Sequence, residues 1–80
     1  MAYAKSETEW GDRASVFLKA ELKKAGVTYA ELAARLKKHG FKDESESTIT
    51  MKLKRGAFAA SFMLACLAAL GLEGVRLEDL

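Results

Sequence analysis

The sequence predicts an all-α fold, a compact four- to five-helix bundle folded as a single domain over residues 1–80. Three observations lead there. Proline is absent, no stretch alternates β-branched with polar residues, and Ala, Leu, Lys and Glu, which lose least on entering a helix, dominate the chain. Half of the residues are apolar and 30% are charged, enough to bury one hydrophobic core against the cost in chain entropy, but not two.

The first helix opens at Ser6, with Glu9 three positions on as its capping-box partner. Trp10, Ala14, Phe17, Leu18, Leu22 and Ala25 then recur at three- to four-residue spacing and share a face, Trp10 serving as an anchor in the bundle; Gly26 stops the helix. Residues 1–5 precede it as a tail. The second helix has three agreeing start signals: Thr28 as N-cap, Glu31 as capping-box partner, and Val27 placed to staple onto Leu32. Leu32, Ala33 and Leu36 form its buried stripe, Lys37 and Lys38 suit its negative C-terminal end, and Gly40 ends it.

A polar connection, FKDESES, follows, in which Asp43 (with Glu46), Ser45 and Ser47 are each competent N-caps. The third helix occupies about residues 45–55 and stops at Gly56. With Ile49 and Leu53 inward, the helical step of about 100° turns Ser47, Thr48, Thr50, Met51, Lys54 and Arg55 outward. The fourth helix, about Ala59 to Leu70, is apolar almost all round and reads as a central helix covered by the others, closed by Gly71. Residues 72–80 form a cover or short final helix, with Leu72, Val75, Leu77 and Leu80 available to the core.

The net charge of +2 is unevenly spread. Residues 1–22 sum to −1 and residues 56–80 to −2, whereas residues 23–55 sum to +5, with nine bases (Lys23, Lys24, Arg35, Lys37, Lys38, Lys42, Lys52, Lys54, Arg55) against four acids. Positive charge gathered in the middle of a chain suits a face that meets phosphates.

Other classes are disfavoured. The one cysteine, Cys66, has no internal disulfide partner, and no secretion-signal pattern stands at the N-terminus, so a cytoplasmic location is expected. Ala57 to Leu72 carries no charge, yet its sixteen residues fall short of the roughly 20 that span a bilayer, so no membrane role is expected. His39 and Cys66 have no visible base, nucleophile or metal partner, and no Gly-rich phosphate loop occurs, so neither an enzyme nor a cofactor or metal site is expected.

The passage FLKAELKKAGVTYAELAARL, followed by STITMKLKRG and a helix ending LAALG, resembles the repressor-type helix-turn-helix family of phage lambda repressor and Cro over Phe17 to Gly71. Gly26, Thr28, Leu32, Ala33, Thr48, Ile49, Arg55 and Gly56 match the ordered pattern of that family. The connection of eleven residues between Leu36 and Thr48 is longer than its compact turn and includes the acidic KDESE. A small bacterial family catalogued only as a domain of unknown function is similar more closely, through Trp10, Leu18 to Leu22, Thr28 to Leu32, Lys52 with Arg55 to Phe58, and Cys66. That second resemblance implies no activity.

The first implies a lambda-repressor-like helix-turn-helix that binds double-stranded DNA, its third helix in the major groove. On that reading Ser47, Thr48, Thr50 and Met51 face base edges, while Thr28, Tyr29, Arg35, Lys52, Lys54 and Arg55 meet phosphates. No Asn, Gln or Arg stands at the start of the third helix, so general affinity is better supported than base-specific readout. A homodimer contacting through the fourth helix and the tail fits the same picture. The alternative is a protein-interaction module on the same fold, with Tyr3, Tyr29, Phe41, Met51 and Phe58 as exposed anchors.

Overall fold

The computed structural model describes residues 3–80, and no strand occurs among them. Four helices follow one another: α1 (Glu7–Ala25), α2 (Tyr29–Lys37), α3 (Glu46–Arg55) and α4 (Ala60–Ala69), with a 3-10 turn at Leu77–Asp79. The chain is thus the small all-α bundle that its composition predicts. Of the expected tail 1–5, residues 1 and 2 lie outside the described residues.

The helix ends follow from a repeated local pattern. Leu22-x-x-x-Gly26-Val27, Leu36-x-x-x-Gly40-Phe41 and Leu67-x-x-x-Gly71-Leu72 share one spacing of leucine, glycine and apolar residue. At each, the apolar residue's N–H donates to the carbonyl of the leucine five positions back (2.9 Å for Val27, 3.0 Å for Phe41, 2.9 Å for Leu72), and the glycine N–H reaches the residue after that leucine. This is the Schellman arrangement, which needs a left-handed residue at the glycine and brings the two apolar side chains together. Val27 serves twice, closing α1 and preceding the Thr28 cap of α2, so one buried residue fixes the corner between them.

The core gathers Leu18 and Leu22 of α1, Leu32, Ala33 and Leu36 of α2, Ile49 and Leu53 of α3, and Phe62, Cys66 and Leu67 of α4. α3 packs on both α1 and α2, and α4 packs on α2. α1 buries Leu18 and Leu22 of the expected stripe and packs Phe17 on the core, but it also buries Ser15 and leaves Ala25 exposed. Trp10 is not an anchor of this cluster; it is half-buried and stacks on Tyr3, ring centroids 6.3 Å apart.

Gly11 lies on the same side of α1 as Ser15, Leu18 and Leu22. A Cβ built there would fall inside the van der Waals envelope of the Gly56 carbonyl oxygen, so α1 meets the end of α3 backbone to backbone. Gly56 itself has φ +66°, ending α3 through its N–H to the Lys52 carbonyl at 3.0 Å.

α4 is not covered all round. Phe62, Cys66 and Leu67 are buried, but Leu64 is 65% exposed and Ala60, Ser61 and Ala68 face outward, because α2 is the main helix packed on it. In the tail, Leu72 and Val75 pack against the core whereas Leu77, at the start of the 3-10 turn, is exposed. No helix among the described residues is long and apolar enough to cross a membrane.

Candidate nucleic-acid interface

Ser45 is the N-cap of α3, which resolves the three candidate caps. The Ser45 hydroxyl accepts the Thr48 N–H at 3.2 Å, and the Thr48 hydroxyl accepts the Ser45 N–H at 2.8 Å, a reciprocal capping box built from two hydroxyls. The boxes expected elsewhere are half-formed. Ser6 caps Glu9 (3.1 Å), but the Glu9 carboxylate accepts the Lys5 N–H at 3.0 Å. Thr28 caps Glu31 (3.1 Å), but the Glu31 carboxylate turns to Arg35.

With Ile49 and Leu53 buried, the helical step places Met51 at the middle of the exposed face, Ser47, Lys54 and Arg55 around it, and Thr50 and Lys52 on its flanks. Met51 is 50% exposed. Ser47, Lys54 and Arg55 are exposed, and among the described residues their side chains have no hydrogen bond or ion pair. Thr50 is exposed, but its hydroxyl donates to the Glu46 carbonyl at 2.7 Å.

The other expected contacts are engaged internally. The Thr48 hydroxyl, besides its role in the cap, donates to the Glu44 carboxylate at 2.7 Å. The Lys52 ammonium pairs with Glu44 and lies over the Phe62 ring, 4.6 Å from its centroid. Arg35 donates to the Ala69 carbonyl at 3.0 Å and to Glu31 at 3.0 Å, tying α2 to the end of α4. Tyr29 packs against the core, and Thr28 remains as the exposed cap of α2. Of the five supposed anchors for a protein partner, Tyr29, Phe41 and Phe58 are likewise packed on the core, leaving Tyr3 and Met51 exposed.

Of the acids in the connection, Glu44 is folded inward, while Asp43 and Glu46 stay exposed. Phe41 and Phe58 both meet Phe62 edge-on, at 6.3 and 5.4 Å, so one α4 ring holds the connection on each side of α3. The Glu44 side chain is only 9% exposed. Burial pushes its carboxyl up, but hydrogen bonds from Lys52 and Thr48 and the Lys52 charge outweigh this and hold it below the usual range. Behind the pair, burial and the Glu44 charge push the Cys66 thiol up to about 12, against a smaller opposing pull from Lys52, so it stays protonated and unreactive near neutrality.

An open cleft that the apolar pattern does not announce lies beside this face. Arg55 lines it with Trp10 and Phe58, where the start of α1 passes the end of α3. The signal for it was present in Gly11 and Gly56, two glycines that let the backbones meet. Among the described residues no group of three or more His, Cys, Asp and Glu is placed to hold a metal ion.

A protein-family model described as Domain of unknown function (DUF6471) matches residues 10–75. No curated protein and no solved structure matches the chain.

Proposed function

Since this chain belongs to the DUF6471 family, whose description assigns no activity, we propose its function from its own surface: it binds double-stranded DNA as a helix-turn-helix protein of the repressor type, α3 entering the major groove. One observation carries this reading. α3 is held from behind by Ile49 and Leu53 and presents Ser47, Met51, Lys54 and Arg55 outward with no internal partner for their polar groups among the described residues. A short, rigidly backed helix with hydroxyl and basic groups on its free face fits a groove about 12 Å wide.

In that arrangement Ser47, in the first turn, meets base edges and Met51 rests on a thymine methyl. Lys54 and Arg55 neutralise phosphates, and the N-terminal end of α2 at Thr28 offers its dipole and first-turn N–H groups to another. Thr48 and Lys52 support this face and Arg35 ties α2 to α4; none of the three touches DNA. The pairing of Glu44 with Lys52 takes one acid and one base out of the approach together, leaving Lys54 and Arg55 as the free bases of α3.

With about three phosphates engaged, binding is weakly sequence-selective, and its logarithmic dependence on salt has a slope near −3. Fluorescence anisotropy of a mixed-sequence duplex at low and high salt tests the proposal. Binding at low salt that weakens with that slope supports it; no binding at low salt refutes it.

A further inference from the structure

We infer that Met51 is an oxidation site, and that its conversion by a peroxide to the sulfoxide weakens binding through α3; the second half rests on the DNA reading above. The chain carries three methionines and one cysteine. Cys66 is fully buried and Met63 packs against the core, whereas Met51 is 50% exposed at the middle of the free face of α3. Among the described residues Met51 is thus the sulfur most open to a dissolved oxidant, and the buried thiol, held in its protonated form, does not compete.

The step needs only a peroxide. A lone pair of the Met51 Sδ attacks one peroxide oxygen and the O–O bond breaks. The departing hydroxide takes the proton from the oxygen now on sulfur and leaves as water. Sulfur is oxidised by two electrons and the peroxide is reduced by two. Ile49 and Leu53, which hold α3 to the core, stay buried beneath, so the fold does not depend on the exposed thioether.

The neighbours give this oxidation a consequence. Ser47, Lys54 and Arg55 stand at i−4, i+3 and i+4 from Met51, with Cβ atoms about 5–6 Å away on the same helix surface. Among the described residues their side chains have no hydrogen bond or ion pair. A thioether is a weak acceptor and leaves these donors to DNA. A sulfoxide oxygen is a strong acceptor in their midst. It supplies the internal partner that the face lacks, holds back a base that otherwise meets phosphate, and puts a polar tip where an apolar one rests on a thymine methyl.

The full chain is treated with hydrogen peroxide, the oxidised positions are mapped by peptide mass spectrometry, and binding to a mixed-sequence duplex is followed at low salt. Met51 is expected to gain one oxygen before Met63 and Cys66, with helical circular dichroism unchanged and affinity about fivefold lower. Met51→Leu, which keeps Met1 and Met63, binds as the unsubstituted protein does and is indifferent to peroxide. Enzymatic reduction of the sulfoxide restores the affinity. Oxidation of Met63 or Cys66 ahead of Met51, an oxidised protein that binds unchanged, or a Met51→Leu protein that loses as much affinity in peroxide overturns the inference. Failure of the untreated chain to bind DNA overturns the DNA reading and the second half with it, whereas the order of oxidation decides the first half without nucleic acid.

Discussion

Lys52 of α3 holds the carboxylate of Glu44 against the body of the protein, beneath a capping threonine and beside the Phe62 ring. The link joins the α2–α3 connection to the helix that it introduces. Glu44→Gln removes the charge and keeps the shape, and is expected to lower stability by about 1 kcal/mol near neutral pH, discounted for the partial exposure of Lys52. Because the folded carboxyl titrates below its unfolded value, its contribution is fully present above the unfolded pKa and is lost as pH falls through the folded one. Urea unfolding of both proteins should thus differ at neutral pH and converge only on the acid side of the ordinary glutamate range, once the folded carboxyl has also been protonated.

The crossing of Gly11 and Gly56 leaves no room for a side chain. Gly11→Ala would gain about 1 kcal/mol of helix propensity, but overpacking against a backbone carbonyl costs more, so a net loss of about 2 kcal/mol is expected. Thermal unfolding measures it. A stabilised Gly11→Ala protein would show that α1 and α3 are not in backbone contact.

Ser15 is buried, and its hydroxyl has no hydrogen-bond partner. Ser15→Ala should stabilise the fold by about 1 kcal/mol, since a desolvated hydroxyl is removed and helix propensity improves. A comparable loss of stability on denaturant unfolding would mean that the hydroxyl has a partner in solution.

The parts of this fold that were legible in the sequence are those set by local spacing. Thr28, Gly26, Gly40, Gly56 and Gly71 mark helix boundaries because capping involves residues within one turn. The choice of Ser45 over Asp43 and Ser47 was not legible, because it depends on Thr48 acting as the reciprocal cap and on Glu44 meeting Lys52 eight residues away. Arg35 reads as a phosphate ligand until the carbonyl of Ala69, 34 positions on, is brought to it by the packing of α2 on α4. α4 is apolar on every side, so its pattern holds no record of which side is covered, and Leu64 and Ala68 were left exposed where burial was expected. The outward face of α3 was legible because Ile49 and Leu53, at i and i+4, fix its rotation.

The most direct test of DNA binding through α3 compares the double variant Lys54→Ala/Arg55→Ala with Lys19→Ala/Lys23→Ala, which removes the same charge from exposed positions on α1. Each is titrated with mixed-sequence duplex across a salt series. The α3 variant is expected to bind about tenfold or more weakly at low salt, with its salt slope reduced by about 2, while the α1 variant stays close to the unsubstituted protein. Equal losses in the two variants, or an α3 variant that binds unchanged, would contradict the account.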